Sequence, residues 1–429
     1  MRVSLVVPNV AKHLHNDAFE PLGILYIAAQ IRSQHDVQIV DAFNRRLSLK
    51  ETLGEILSFN PDVVGISLTM SPTVPFGRDL SAEIKSSDSR IKIIVGGTHA
   101  TFASEQLASN PNIDVVVLHE GDITFLEILK CLENDGNLTD ISGIVIHNNE
   151  EVIKTAKRDP ISNLDSLPFP ARDILPNQEI YNIRHILSSR GCIFKCIYCA
   201  SSAMNQYMWR SRSAANVLSE IEILASQYSK TFHFADDNFP VNRQRTVEIC
   251  KGIIERDLDI KWLCLSRIEF IDDSDLLKTM ALSGCSEIFI GVESGSDRVL
   301  KRMKRKYTSN DVKRIVKMCF DMGISTIASF IIGNPYETLD DVKRTFDLSM
   351  NLQTPNVNFH IFTPYIGTQA FTCPDNFGLT ILSNNPEEFD KNTEPVAQTR
   401  YLSAEQIMDL YCESFGIALK KGRQRLWRL

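Results

Sequence analysis

Cys192, Cys196 and Cys199, in the stretch SSRGCIFKCIYCASS, are the side chains whose type and spacing point most directly to chemistry. They form a C-x₃-C-x₂-C pattern, with Tyr198 immediately before the third cysteine. A structural zinc ion takes four protein ligands, and so does an electron-carrying [4Fe-4S] cluster. Three thiolates this close together hold three irons of a cubane and leave the fourth open. An open iron is a place where a small molecule can bind metal directly. The alternative is a zinc knuckle whose fourth ligand is a distant Cys or His.

Downstream, several apolar runs end in polar groups. FADDNF carries Asp236, Asp237 and Asn238, LSRIEF carries Arg267, and GVESGS carries Glu293, Ser294 and Gly295. IIGNPYET and TPYIGT follow. Each such end also reads as the N-cap of the next helix, most directly for Asp237, Ser294 and Ser296. A charge at a strand end facing a barrel mouth needs a partner, which favours a functional role for Glu293 and Arg267. The glycines of GVESGS would allow a ligand to approach closely.

These positions require elements to hold them. In the first 135 residues, VSLVVP, DVQIVDAF, DVVGISLTM, IKIIVGG and IDVVVLHEG are β-branched runs of the kind buried on both faces of a parallel sheet. Helical periodicities such as PLGILYIAAQIRSQ and TFLEILKCLEND lie between them. Together they predict an α/β, doubly wound, flavodoxin-like (Rossmann-like) domain over residues 1–157. It closes on the hairpin GIVIHNNEEVIKT, with Asn148–Asn149 in the turn. The Pro-rich stretch 158–180 reads as a linker. Residues 181–373 then give six strands and five intervening helices, too few for a closed eight-fold barrel but suited to a partial (β/α)₆ barrel. Chemistry in such barrels lies at the carboxyl ends of the strands, and the three cysteines directly follow the first strand of this series. Residues 374–429 form a polar, then helical extension that caps the barrel; within it, CPDNFGLTILSNNPEEFDKNTEP matches no motif.

In order, the cysteine motif, WRSRS (Trp209–Ser213), DDNF, Arg267, GVESGS, GNPYET and TPYIGT resemble the radical S-adenosylmethionine (radical SAM) superfamily. More narrowly, they are similar to its subfamily with a cobalamin-binding domain, across essentially the whole barrel. The resemblance implies that Cys192, Cys196 and Cys199 ligate a [4Fe-4S] cluster whose open iron chelates S-adenosylmethionine. It places Tyr198 near the adenine and Glu293 on S-adenosylmethionine, with Arg267 and Asp236 lining the same cavity. Asn334, Tyr336 and Ile366 depart from the usual turn residues and put only the local turn geometry in doubt.

In the N-terminal domain, EPLGILYIAAQIR and GGTHATF resemble the same subfamily, which implies cobalamin beside the sheet. Ligands of open α/β sheets bind at the carboxyl ends of strands. Here those ends supply Ser67, Thr69, Gly96, Gly97, His99, Glu120 and Gly121, with glycine pairs that would let a large flat ligand lie against backbone. The D-x-H-x-x-G motif that supplies an axial histidine is absent: Gly97 and Val117 stand where an Asp would precede His99 and His119. The alternative is a degenerate module that binds nothing and covers the barrel.

The implied activity is reductive cleavage of S-adenosylmethionine to a 5′-deoxyadenosyl radical, with methyl transfer from cobalamin to an unactivated carbon of a small-molecule substrate. A non-methylating enzyme of the same subfamily, forming or rearranging a ring, is a second reading. A non-catalytic metal- or cofactor-binding protein is a third, from a different class. A flavodoxin- or ferredoxin-type reductant is an implied partner.

The bulk numbers agree. Of 429 residues, 43% are hydrophobic and 23% charged, as expected of a globular chain with ample core. A net charge of −7 gives no nucleic-acid footprint, and the basic run LKRMKRKYTSNDVKR reads as a solvated helix face. No signal peptide opens the chain and no run of ~18 apolar residues offers a membrane span, so a cytoplasmic location is expected. Cys131, Cys250, Cys264, Cys285, Cys319 and Cys412 read as reduced, mostly buried thiols.

Overall fold

The computed structural model describes residues 1–10, 18–148, 151–383 and 385–421. They divide into two compact units, the first of residues 1–10, 18–181 and 203–207, the second of 182–202 and 208–421.

The first unit is built on the five β-branched runs. They form β1 (Arg2–Val7), β2 (Asp36–Asp41), β3 (Val63–Ser67), β4 (Lys92–Gly96) and β5 (Val115–Val117). A hairpin of β6 (Ile144–Asn148) and β7 (Glu151–Lys154) continues the sheet. The order is β2-β1-β3-β4-β5-β6-β7, parallel through β5 and antiparallel beyond. This is the expected flavodoxin-like order, with the carboxyl ends of the parallel strands along one edge. Asn148 pairs with Glu151 at the end of the hairpin, and Asn149, the other expected turn residue, lies outside the described residues. Helices at Leu22–Ile31 and Gly121–Glu133 cover the sheet with Leu25, Ile31, Phe125 and Ile128, each almost wholly buried. The Pro-rich stretch packs on this unit. Ala171, Leu175 and Tyr181 join its core, the Tyr181 hydroxyl donates to Asp41 at 2.5 Å, and Arg172 pairs with buried Glu20 at 3.2 Å.

The second unit begins with β8 (Arg184–Ile186). A two-residue strand, β9 (Ser189–Arg190), follows and pairs antiparallel with β10 (Arg210–Ser211). Then come β11 (Thr231–Phe234), β12 (Lys261–Arg267), β13 (Cys285–Glu293), β14 (Ser325–Ile332) and β15 (Asn356–Ile361). The sheet order is β15-β14-β13-β12-β11-β8, and every pairing is parallel. The partial (β/α)₆ barrel is therefore as the sequence predicts. Burial alternates along β11 and β15, so that Phe232, Phe234, Val357 and Phe359 face the helices. The intervening positions, such as His233 and Asn358, face the opposite side of the sheet. A core from Ile186 to Ala418 fixes the strands, with Trp262 fully buried against Phe234 and Phe239.

Candidate functional site

The cysteine loop opens at Gly191, whose φ of +87° suits glycine, and leads from β9 into a short helix at Ala200–Met204. Cys192, Cys196 and Cys199 are half-buried free thiols, and the Cys199 N–H donates to the Cys196 carbonyl at 3.2 Å. Burial, helped by the carboxylate of Asp237, pushes the Cys199 thiol up to about 11 and raises that of Cys192. Thiols in such surroundings stay protonated and inert until a metal displaces the proton. Among the described residues, no three His, Cys, Asp or Glu side chains converge closely enough to hold a single metal ion. Three half-buried thiols on one loop suit a four-iron cubane, which takes three thiolates and leaves its fourth iron open. The loop fits the cluster.

Arg267, which ends β12, is fixed against this loop. Its guanidinium lies 3.4 Å from the centroid of the Phe194 ring, and its Nη1 is 3.9 Å from the Cys196 sulfur. Glu269 holds it with contacts of 2.6 and 3.2 Å, and the Arg267 backbone N–H donates to Asn238 Oδ1 of the DDNF segment at 3.2 Å. A positive charge is thus held beside one expected cluster ligand.

Glu293 ends β13 at a bulge with φ of +69°. Gly291 makes room for its carboxylate, since a Cβ there would stand 2.8 Å from Glu293 Oε1. Arg305 then joins two expected site residues, donating to Glu293 Oε1 at 2.6 Å and to the Tyr198 hydroxyl at 2.5 Å. Arg305 was not among the expected site residues. It lies in the basic run that reads as a solvated face, yet it is only 8% exposed. Neighbouring Tyr307 is also buried, its hydroxyl donating to the carbonyls of Gly291 and Val292 at 3.0 and 3.2 Å. The aromatic two residues after Arg305 was the available signal that this part of the run turns inward.

Other expectations change. Asp236 does not line a cavity: it is 1% exposed, and its carboxylate accepts from the Ser188 N–H, the Ser188 hydroxyl and the Ser189 hydroxyl at 2.5–2.7 Å. Its task is to tie the end of β11 to the turn that leads into the cysteine loop. Asp237 caps no helix. It accepts the Ser201 hydroxyl at 2.6 Å, just beyond Cys199. Ser296 makes no cap hydrogen bond but donates its hydroxyl to Asp341 at 2.6 Å, while the Ser294 hydroxyl accepts the Ser296 N–H at 3.2 Å and lies 3.4 Å from Glu337. Gly295 is needed by the protein itself, because a Cβ would stand 2.4 Å from the Arg344 carbonyl oxygen.

In the first unit the ends of β3, β4 and β5 are adjacent. The Leu68 N–H donates to the Gly96 carbonyl at 2.7 Å, and the His99 N–H donates to the Leu68 carbonyl at 3.0 Å. Gly97, at φ +109°, packs so closely on Leu68 that a Cβ would lie 2.8 Å from its carbonyl oxygen. Ser67, Gly96 and Gly121 are part-exposed and Thr69 is exposed, leaving a polar, glycine-lined edge that fits a large ligand. Two expected contacts are turned inward. His99 is 4% exposed, sits 3.1 Å from the Ser71 hydroxyl, and is held neutral by burial, its pKa pushed down to about 4. Glu120 accepts the Ile161 N–H at 3.0 Å and anchors the chain there. In sequence His119 stands out only for lacking the axial motif. It takes φ of +58° and places Nδ1 2.8 Å from the Met204 carbonyl.

Comparison with known proteins agrees with both halves. The model of the radical SAM superfamily matches residues 186–349, and that of the B12 binding domain matches residues 14–129. An uncharacterized methyltransferase of Pyrococcus horikoshii is 31% identical over 426 residues, covering 97% of this chain and 92% of the relative. The chain belongs to the radical SAM superfamily, among the members that carry a B12-binding domain. An anaerobic magnesium-protoporphyrin IX monomethyl ester cyclase of Rubrivivax gelatinosus is 27% identical, covering 86% of this chain and 69% of the relative. The fold is shared with the radical SAM methyltransferase TsrM of Kitasatospora setae, whose structure was solved with cobalamin and a [4Fe-4S] cluster. That match has a TM-score of 0.77 at 18% identity and covers 96% of this chain and 90% of TsrM. No helix among the described residues is long and apolar enough to cross a membrane.

Proposed function

We propose that this protein is a cobalamin-dependent radical SAM methyltransferase acting on an unactivated carbon of a small molecule. The observation that carries the reading is the methyltransferase relative aligned over 97% of the chain, together with a three-cysteine loop at the mouth of a partial barrel. When bound, the cluster and S-adenosylmethionine supply a 5′-deoxyadenosyl radical, and cobalamin supplies the methyl group.

The chain's own residues divide the remaining work. Cys192, Cys196 and Cys199 are the cluster ligands, and Arg267 keeps a positive charge beside Cys196. The linked Tyr198, Arg305 and Glu293 form one wall of the S-adenosylmethionine site, so the aromatic ring and the carboxylate move together. Ser67, Thr69, Gly96, Gly97 and Gly121 form the edge that takes cobalamin, with His99 and Glu120 supporting it from behind. On the face of the barrel sheet away from the helices, His233 is held neutral, its pKa lowered by burial to about 3.

All ten cysteines are free, which suits the reducing cytoplasm, and a flavodoxin or ferredoxin is the reductant we assign. The test is anaerobic reconstitution followed by turnover with methyl-labelled S-adenosylmethionine and candidate substrates. Label in the product is expected, alongside 5′-deoxyadenosine. Turnover to an unlabelled product would move the assignment to ring formation, as in the cyclase relative. Failure to bind about four irons per chain would reject the enzyme.

A further inference from the structure

The segment that matches no sequence motif, CPDNFGLTILSNNPEEFDKNTEP, is tied to the open edge of the barrel sheet. The Ile361 N–H at the end of β15 donates to the Lys391 carbonyl at 2.8 Å. The Lys391 N–H donates to the Tyr365 hydroxyl oxygen at 3.2 Å, and His360 Nδ1 lies 2.9 Å from Asn392 Oδ1. Two residues earlier, Phe389 is fully buried and meets Phe371 edge-on, with ring centroids 5.6 Å apart. The backbone of Lys391 is therefore held beside the carboxyl end of β15. β12 ends in Arg267 and β13 in Glu293 at the same end of the sheet.

The Lys391 side chain is exposed, yet enough protein surrounds its ammonium for burial to lower its pKa. The Lys391 backbone is fixed at the strand ends, and its ammonium lies within electrostatic reach of Glu293. Among the described residues it makes no side-chain hydrogen bond or ion pair. The two carboxylates that act on it, Asp390 and Glu293, are engaged elsewhere. Asp390 accepts the Asn392 N–H at 3.0 Å, and Glu293 holds Arg305 at 2.6 Å. Arg267 is likewise paired with Glu269. Arg305 and Arg267 each sit in an ion pair, and Lys391 sits in none among the described residues. An ammonium held at the strand ends without an ion-pair partner is placed to take an arriving anion in a charge-assisted hydrogen bond.

We propose that Lys391 binds a carboxylate or phosphate group of the substrate, which makes the substrate class a small organic anion. The inference rests on the barrel being the catalytic unit of a radical SAM enzyme. S-adenosylmethionine also carries a carboxylate, so the test must separate the two sources. Reconstituted full-length protein is pulsed with limiting acetic anhydride, and acetylation of Lys391 is followed by peptide mass spectrometry against exposed Lys50. Inorganic phosphate should protect Lys391 several-fold and leave Lys50 unchanged. S-adenosylmethionine alone should leave Lys391 reactive, and phosphate should still protect when it is present. In K391M, phosphate affinity measured by calorimetry should fall roughly tenfold or more. Protection by S-adenosylmethionine alone would assign the lysine to the cofactor and overturn the proposal, as would absence of protection by phosphate. The labelling does not depend on turnover. A protein that fails to form 5′-deoxyadenosine would sink the catalytic reading while leaving the protection result legible.

Discussion

Glu337 shows how one side chain in the GNPYET turn governs geometry at a distance. It is fully buried, and its carboxylate accepts the N–H groups of Gly333 and Asn334 at 3.1 Å each and the Ser294 hydroxyl at 3.4 Å. One residue thus fixes the end of β14 and the segment just after Glu293. Burial outweighs these donors and raises its pKa from an ordinary 4.5 to about 8. The folded protein therefore holds a proton that the unfolded chain releases between these two values. The stabilisation is complete below the unfolded value and is lost as pH rises through the folded one. E337Q keeps an acceptor for both backbone N–H groups and cannot ionise. Urea unfolding of the wild type should show stability falling from about pH 5 to about pH 8, and E337Q should flatten that slope. An unchanged slope in E337Q would remove Glu337 as its origin.

The strands are where the sequence speaks most clearly. Runs such as IKIIVGG and STIASFII are β-branched and continuous because parallel strands are covered on both faces, and both became strands at the expected places. What each strand end does was less legible. Whether Asp236 faces a cavity or Ser188 depends on a turn 48 residues earlier in the chain. Whether Arg305 faces solvent or Tyr198 depends on a partner 107 residues away. No local period encodes either. Gly295 makes the same point and gives a prediction. In sequence it suggests ligand approach, but in the fold it meets the helix Leu339–Asn351, where a Cβ would lie 2.6 Å from Thr345 Cα. Backbone cannot yield as a flexible side chain does, so G295A should cost about 1–3 kcal/mol by overpacking. G416A, in open space within the helix Ala404–Lys420, should be neutral or gain about 0.5–1 kcal/mol. Equal unfolding midpoints for G295A and the wild type would show that the helix shifts freely.

At the scale of the whole molecule, the two units have separate cores, one running from Val3 to Tyr181 and the other from Ile186 to Ala418. Of the chain's three tryptophans, Trp209 and Trp262 lie in the second unit and Trp427 lies outside the described residues, so the described part of the first unit holds none. Trp262, fully buried, reports the melting of the second core alone. Calorimetry sees both. A ligand that binds only the folded first unit stabilises that unit by mass action, by about 2.7 kcal/mol at a hundred times its dissociation constant. Hydroxocobalamin should therefore raise the calorimetric transition that is silent in Trp fluorescence and leave the Trp262 midpoint in place. If both midpoints rise together, the units unfold as one cooperative body and the separate cores do not act independently. If neither moves at saturating hydroxocobalamin, the polar edge formed by Ser67, Thr69, Gly96 and Gly121 is not a cobalamin site, and the methyl donor must be sought elsewhere.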